Sequence, residues 1–382
     1  MFWQRASHGL PSRLLGVRMV VGRRFGVAGL CHAGLLVVCH SAFAETPSID
    51  LRHFTPPTSR DGSLYVESSQ STRGWGVGSW LSWSLRPVVV RDPFGQVSDD
   101  SGSAGNSQGA ARGGSADVQL VAQQLSVDLV GGIGLTSRTE VGVAVPAIVF
   151  QTGDSAGRVA GAGGGSRLAK QALGDISATG KFTIVKCGDM GGFGLAALGR
   201  FVVPTGGHAS FSGEGAVGGE VRLLAELNVV AATVRATSGY KLRSAHRTFA
   251  GNTWGNEIPW GLGVTVFARA LGIDDSGRWA WTVETHGLLP AGPDVPFTNA
   301  LTSAALVAVS VRYQMSSDFA FLAGAETSVI DAPGMPAFRS FLGLSFAQRP
   351  ADGVVFDGVV PYQRKYEFLP EEPGESEIDV GG

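Results

Sequence analysis

The stretch GWGVGSWLSWSLR, residues 74–86, decides how the rest of the sequence is interpreted. Its odd-numbered positions carry mostly large apolar side chains, and its even-numbered positions carry mostly glycine, serine or arginine. Side chains two residues apart lie on the same face of a β-strand. The alternation therefore predicts a strand with one apolar and one polar face.

The same alternation recurs along the chain. Between Gly74 and Phe346, about twelve segments of roughly 10 to 14 residues repeat it. The composition agrees, since 16% of the residues are charged and 56 are glycine, which favours a β fold over a helical one. Outside the N-terminus there is no run of about 18 consecutive apolar residues, so membrane-spanning helices are not expected.

The connections between these segments alternate in length. Long ones are predicted at 86–117, 151–174, 205–216, 241–256, 290–302 and 330–337, and short ones at 136–138, 186–191, 228, 272–277 and 315–317. Long loops on one side and tight turns on the other are typical of membrane barrels, in which closure removes every unpaired strand edge. The sequence thus predicts an all-β fold, an antiparallel up-and-down transmembrane β-barrel of about twelve strands. A soluble all-β protein is the alternative.

The N-terminus has the pattern of an export signal. An apolar stretch from Phe25 to Val38 ends at Ser41-Ala42-Phe43-Ala44, whose small-x-small pattern suits signal peptidase. The basic residues that precede it are Arg5, Arg13, Arg18, Arg23 and Arg24. We expect cleavage after Ala44 and localisation to the cell outer membrane. A retained anchor is the alternative, and either Met1 or Met19 could be the start.

Cleavage would change the charge and the cysteine count. The leader holds five of the 30 basic residues and none of the 32 acidic ones, so the mature chain has 25 basic against 32 acidic residues, a formal charge of −7. Nothing in this balance suggests nucleic-acid binding. Cys187 would be the one remaining cysteine, which excludes an intrachain disulfide.

Charged residues on the polar faces of the predicted strands are the main candidates for a site. They carry both signs and would point into the barrel: Asp128, Glu140, Lys181, Arg200, Glu220, Arg222, Glu226, Arg235, Glu284, Arg312, Glu326 and Arg339. Opposite charges in a narrow tube tend to pair. We expect a network that fills the tube without conducting. An ion pathway or gate built from the same pairs is the alternative.

Catalytic motifs are weak. His208 and Ser210 are the nearest His–Ser pair for a barrel hydrolase, and a solvated loop histidine is the simpler interpretation. The string G-x-S-x-G occurs around Ser107 and Ser155, but neither lies at a strand-to-helix turn. We predict no enzymatic activity, and an outer-membrane hydrolase is the least favoured alternative.

Metal-binding signals are equally faint. Asp99-Asp100 and Asp274-Asp275 supply two carboxylates each, which is too few ligands for a calcium site. His286 lies on a polar face, where membership of the charge network is the simpler interpretation. No cofactor and no metal are predicted.

Four short motifs resemble a known family. They are Arg52-His53-Phe54-Thr55-Pro56-Pro57, Leu85-Arg86-Pro87-Val88-Val89-Val90-Arg91, Phe201-Val202-Val203-Pro204-Thr205-Gly206 and Phe341-Leu342-Gly343-Leu344-Ser345-Phe346. From Leu51 to Phe346 the chain resembles the N-terminal transmembrane β-barrel of large OmpA-like bacterial outer-membrane proteins. In that family, acidic calcium-binding repeats and a peptidoglycan-binding domain commonly follow the barrel. About 36 residues follow Phe346 here, so the resemblance implies the barrel without that domain.

These features predict four parts: a signal peptide at 1–44, a periplasmic lead-in at 45–73, the barrel at 74–347 and an acidic periplasmic tail at 348–382. The expected function is that of an integral outer-membrane barrel with a structural or surface role. A narrow passive diffusion channel for small solutes is the alternative. The expected partners are outer-membrane lipid and the barrel assembly machinery, and the oligomeric state is left open.

Overall fold

The structure is a computed structural model that describes residues 50, 55–58, 64–71, 74–90, 118–153, 168–188, 191–207, 210–245, 247–249, 252–291, 303–330 and 334–348. Several predicted features lie outside these residues: the leader 1–44, the tail beyond Gln348, the Asp99-Asp100 pair, Ser107, Ser155 and His208.

Twelve strands among the described residues build one barrel. They are β1 (Gly74–Val90), β2 (Val118–Gly134), β3 (Thr139–Thr152), β4 (Ile176–Val185), β5 (Gly192–Val203), β6 (Gly218–Asn228), β7 (Ala232–Arg243), β8 (Asn256–Phe267), β9 (Trp279–Ala291), β10 (Ala304–Gln314), β11 (Phe319–Ile330) and β12 (Phe338–Ala347).

Each strand pairs antiparallel with the next, and β12 pairs with β1. At this seam Leu81 lies opposite Leu342, and Trp83 lies opposite Ser340. The sheet is therefore closed, and the prediction of an antiparallel barrel of about twelve strands is confirmed. A two-residue strand, Ala172–Leu173, pairs with β3 beyond the end of β4, and a small hairpin, Arg247–Phe249 with Asn252–Trp254, lies outside the barrel sheet.

The two ends of the barrel differ. The turn end carries the first residue of β1, the last residue of β12 and the connections 135–138, 186–191, 229–231, 268–278 and 315–318. The loop end carries the connections 91–117, 153–175, 204–217, 244–255, 292–303 and 331–337. The predicted alternation in loop length is thus present in the topology.

Short polar side chains shape the turns at the turn end. The Thr136 hydroxyl accepts hydrogen bonds from the backbone N–H groups of Arg138 and Thr139, which tightens the β2–β3 turn. The β8–β9 connection is longer than predicted, because a 3-10 helix, Ala268–Leu271, precedes a Gly272 in the left-handed conformation (φ 68°). No helix among the described residues is long and apolar enough to cross a membrane.

The two faces of the sheet have opposite chemistry. Burial alternates residue by residue in most strands, as in β4, where Ser177, Thr179 and Lys181 are buried while Phe182 and Ile184 are exposed. In a closed sheet the buried parity faces the interior. Large apolar side chains therefore cover the outside of the barrel, and polar or small side chains line its inside.

The tryptophans of the barrel strands do not all lie on the same face of the sheet. Trp75, Trp83, Trp279 and Trp281 lie on the outer face, whereas Trp80 is buried in the interior. Trp80 shares the parity of the polar positions of β1, so the alternation itself placed it inward. The Trp80 indole packs there against Leu64, which lies inside the barrel.

Candidate functional site: a segment inside the barrel

The N-terminal segment before β1 lies inside the barrel. Its described residues, 55–58 and 64–71, contact inward-facing side chains, and Leu64 to Ser69 are all buried. The sequence analysis assigned these residues to a periplasmic lead-in, whereas the structure places them against the inner wall. We call residues 64–71 the inserted segment.

One wall carboxylate holds the backbone at the inner end of the inserted segment. The Glu284 carboxylate of β9 accepts hydrogen bonds from the backbone N–H groups of Leu64 (3.0 Å), Tyr65 (2.8 Å) and Val66 (3.3 Å). Hydrogen bonds to an ionised acceptor are about twice as strong as neutral ones. Glu284 thereby fixes three consecutive residues of the segment at one point on the wall.

A second carboxylate holds the segment closer to the turn end. Glu226 of β6 accepts hydrogen bonds from the Ser68 hydroxyl (2.7 Å) and the Ser69 backbone N–H (3.0 Å). From β4, Lys181 donates to the Ser68 carbonyl (3.3 Å) and Thr183 donates to the Ser69 carbonyl (2.8 Å). The backbone of Ser68 and Ser69 is therefore hydrogen-bonded to the wall on both its donor and its acceptor side.

Tyr65 and Glu67 extend charged and aromatic contacts to the wall. The Tyr65 ring stacks on the His286 ring, with centroids 4.2 Å apart and planes 15° apart, and the Arg222 guanidinium lies 4.8 Å from the Tyr65 centroid. Glu67 lies 3.8 Å from Arg200. The segment thus presents a ring and a carboxylate to three wall residues.

An apolar contact completes the set. Leu64 packs in one buried cluster with Trp80, Ala308, Leu322 and Phe341. The inward position of Trp80 follows from this contact, because its indole meets the inserted segment rather than a membrane interface.

Glycines on the inner wall make room for the segment. A Cβ at Gly194 would lie 2.4 Å from Ser69 Oγ, and one at Gly142 would lie 2.6 Å from Thr58 Cβ. At Gly261 an added Cβ would lie 3.0 Å from a methyl group of Val66. Side chains at these positions would collide with the chain that now passes them, so the wall is shaped for an occupied interior.

The structure brings most of the predicted charge network together. Eleven of the twelve residues are buried and Arg312 is half-buried. Four ion pairs join residues that lie directly opposite each other on neighbouring strands: Glu140 with Lys181, Arg200 with Glu220, Glu226 with Arg235 and Glu326 with Arg339. Arg222 also contacts Glu220. The role of these residues stays a prediction.

Sequence reasoning missed a further group of charges near the loop end. Glu214, in the connection 204–217, pairs with Lys241 (2.6 Å) and Arg243 (3.0 Å) of β7, and Arg243 also pairs with Glu257 of β8 (2.7 Å). Burial opposes ionisation of Glu214, but the Lys241 and Arg243 charges outweigh it and lower the pKa of Glu214 to about 2. Glu214 therefore ties this connection to the wall at neutral pH.

A cleft lies beside the inserted chain at the turn end. The space between its walls, open solvent included, is about 750 Å³. Pro57 and Thr58 form one side, and Trp80, Leu322 and Phe346 line the rest together with several glycines.

The remaining chemical candidates have structural roles. The Ser210 hydroxyl is buried and donates to the Gly207 carbonyl (2.7 Å). Asp274 accepts hydrogen bonds from the backbone N–H groups of Ser276, Arg278 and Trp279, so its carboxylate closes the β8–β9 connection. Among the described residues, no group of three or more His, Cys, Asp or Glu side chains is arranged to hold a metal ion.

Comparison with known proteins bears on the fold. No protein-family model and no curated protein matches the chain. An outer-membrane channel from Pseudomonas putida F1 superposes on 77% of this chain and 100% of its own, with 11% identity and a TM-score of 0.50. The NanC porin superposes on 71% of this chain and 98% of its own, with 10% identity and a TM-score of 0.40. The first of these likenesses shows that this chain has the fold of an outer-membrane β-barrel.

Valine at Gly194 is expected to displace the inserted segment, because an added Cβ there would lie 2.4 Å from Ser69 Oγ and 2.5 Å from Gln70 Nε2. Gly199 is a matched control on the same strand, since an added Cβ there meets nothing within 4 Å. Overpacking costs about 1–3 kcal/mol, which corresponds to roughly 5- to 150-fold greater exposure of the segment. Maleimide labelling of a Val66→Cys reporter, in a Cys187→Ser background, measures that exposure.

Equal labelling rates in folded Gly194→Val and Gly199→Val proteins would contradict this expectation. Heat-modifiable migration on SDS gels checks that both variants form the barrel.

Loss of the Glu214 charge is expected to release the connection 204–217. Because the pKa of Glu214 is lowered to about 2, its stabilising contribution is complete above the ordinary pKa of about 4.5 and is lost as the pH falls through 2. Pepsin should therefore cleave this connection at pH 2 but not at pH 4, and should cleave Glu214→Gln at both. Asp274→Asn, at the turn end, is the control and should behave as the unaltered chain. Protection of Glu214→Gln at pH 4 would refute the anchoring role.

Proposed function

We propose that this chain is an integral outer-membrane β-barrel with a structural or surface role, whose interior is closed by its own N-terminal segment. The observation that carries the proposal is the pair of wall carboxylates, Glu284 and Glu226, that bind the backbone of Leu64 to Ser69. These contacts hold the inserted segment across the interior.

The outer surface supports insertion into a membrane. Exposed large apolar side chains occur on all twelve strands, from Val77 on β1 to Leu344 on β12. Aromatic side chains meet near the turn end, where Phe346 contacts Trp75 (5.2 Å) and Phe319 (4.8 Å). An apolar band bordered by aromatic rings is the arrangement that a lipid bilayer favours.

The proposal includes the segments that flank the barrel. Residues 1–44 are proposed as a signal peptide cleaved after Ala44, and residues 348–382 as an acidic periplasmic tail. The barrel is proposed to be related to the N-terminal barrels of OmpA-like proteins, to be inserted by the barrel assembly machinery and to have no catalytic activity. The Ser210 hydroxyl is hydrogen-bonded to Gly207 and Ser212, which supports a structural role for this serine.

Arginine at Leu223 tests insertion. Leu223 lies in the middle of β6 with its side chain 57% exposed, whereas Leu271, in the β8–β9 connection, is 54% exposed. In lipid vesicles, Leu223→Arg is expected to lower the free energy of unfolding by about 2–4 kcal/mol, the cost of an arginine at the bilayer midplane, and Leu271→Arg by roughly 0–1 kcal/mol. Urea titration followed by tryptophan fluorescence measures both. Similar values for the two variants would indicate that the outer face of β6 does not contact lipid.

A gated channel is the second candidate, and one observation favours it. Behind Tyr65 to Ser69, the wall carries buried charges of both signs, among them Arg222, Lys181 and Glu226. Such a surface stays hydrated when the segment leaves, so displacement would open a polar path rather than a collapsed core.

Planar-bilayer recordings separate the two candidates. Because the segment closes the lumen, we expect no step currents from the unaltered chain. Alanine at both Glu284 and Glu226 leaves the buried N–H donors of the segment without acceptors, at a cost of about 1–3 kcal/mol each. Step currents from this double variant would establish the gated channel. Glu326→Gln is the matched control, because Glu326 pairs with Arg339. Step currents from the unaltered chain would contradict the closed barrel.

A further inference from the structure

We propose that the wall site occupied by Tyr65 and Glu67 binds small aromatic carboxylates, and that these two side chains occupy it in place of such a solute. The inference rests on the proposed function in one respect, the closure of the barrel by the inserted segment. It adds a binding site and a chemical class of ligand.

The first half of the site is a slot for a flat ring. Tyr65 lies between the His286 ring, 4.2 Å away and nearly parallel, and the Arg222 guanidinium, 4.8 Å away. Stacking and cation–π attraction act on the face of a ring and do not depend on the chain that carries it. His286 and Arg222 belong to the wall, so the slot remains available to another aromatic ring when Tyr65 leaves.

The second half of the site binds a carboxylate. Arg200 and Arg222 share one wall carboxylate, Glu220, and Glu67 supplies the second negative charge next to Arg200. Withdrawal of Glu67 leaves two guanidinium groups with a single carboxylate between them. This group of residues therefore carries an excess positive charge that an anion can neutralise.

Glu67 fills this position loosely. Its 3.8 Å separation from Arg200 is longer than a hydrogen bond. Within the described residues, neither Glu67 Oε2 nor Arg200 Nε makes a hydrogen bond. A free carboxylate can align with the fork of a guanidinium and accept two parallel bonds. A diffusing solute can therefore make a better contact than the tethered side chain does.

The geometry selects a ring and an acid on one small molecule. Because Arg200 and Arg222 both contact Glu220, the carboxylate position adjoins the ring slot. A carboxyl group attached directly to an aromatic ring spans the two positions, as in benzoate. Acetate would use the arginine alone, and phenol would use the slot alone.

Calorimetric titration of the folded full chain in detergent with benzoate tests the site. The double variant Tyr65→Ala, Glu67→Gln removes the competing side chains, and we expect it to bind benzoate at least tenfold more tightly than the unaltered chain. Adding Arg200→Gln to that variant should reverse the gain, whereas adding Arg339→Gln, which alters an arginine paired with Glu326, should not. Acetate and phenol should each bind at least tenfold more weakly than benzoate.

Equal benzoate affinities for the unaltered chain and the double variant would overturn the site, as would benzoate binding that survives Arg200→Gln. If the double variant does not fold, the isosteric Glu67→Gln variant is titrated alone. It is expected to bind benzoate at least threefold more tightly than the unaltered chain. An unchanged affinity would overturn the site. The measurement needs neither lipid nor conductance. Its failure therefore rejects the site alone, while the Leu223→Arg and bilayer experiments decide the closed membrane barrel.

Discussion

The pairing of β1 with β12 is the constraint on which the rest of the structure depends, because it converts a sheet into a tube. Once the tube is closed, every strand residue faces either outward or inward, and a register slip of one residue would exchange the two faces. Charged side chains such as Lys181 and Glu140 can then lie only in the interior. A polar interior cannot be filled by apolar packing, so its groups need hydrogen-bonding partners.

The inserted segment supplies partners that the wall lacks. The backbone N–H groups of Leu64, Tyr65 and Val66 donate hydrogen bonds to the Glu284 carboxylate. In the other direction, Lys181 and Thr183 of the wall donate hydrogen bonds to carbonyl groups of the segment. Buried polar groups on both sides are thereby paired in one arrangement. Barrel and segment are complementary parts of one polar core, and the apolar contact of Leu64 with Trp80 is a small addition to it.

Strand alternation made the barrel predictable, because period two is a local property of the chain. It placed the outer and inner faces of the strands and put the charged residues on the inner face, whereas the buried position of Trp80 was not predicted. The inserted segment was not predictable in this way, since it has no periodicity and its contacts are remote: Leu64 and Glu284 are 220 positions apart. A signal was nevertheless present in the inward-facing glycines at 142, 194 and 261, where a barrel filled by its own side chains would carry larger residues.

Charge placement across neighbouring strands offers a sharper signal. Most acidic and basic residues of the wall neutralise a residue of the other charge on the neighbouring strand. This holds for Glu140, Arg200, Glu226 and Glu326. Glu284 lies opposite Gly263 and Ala308, neither of which can neutralise it.

Gly263 has a second consequence. An added Cβ there would lie 3.0 Å from Glu284 Cγ, so the absence of a side chain leaves Glu284 free to extend into the interior. An inward carboxylate with a glycine and an alanine as its cross-strand neighbours requires donors from inside the tube. The inserted segment provides them, and the position of Glu284 on β9 therefore determines where Leu64 to Val66 are held.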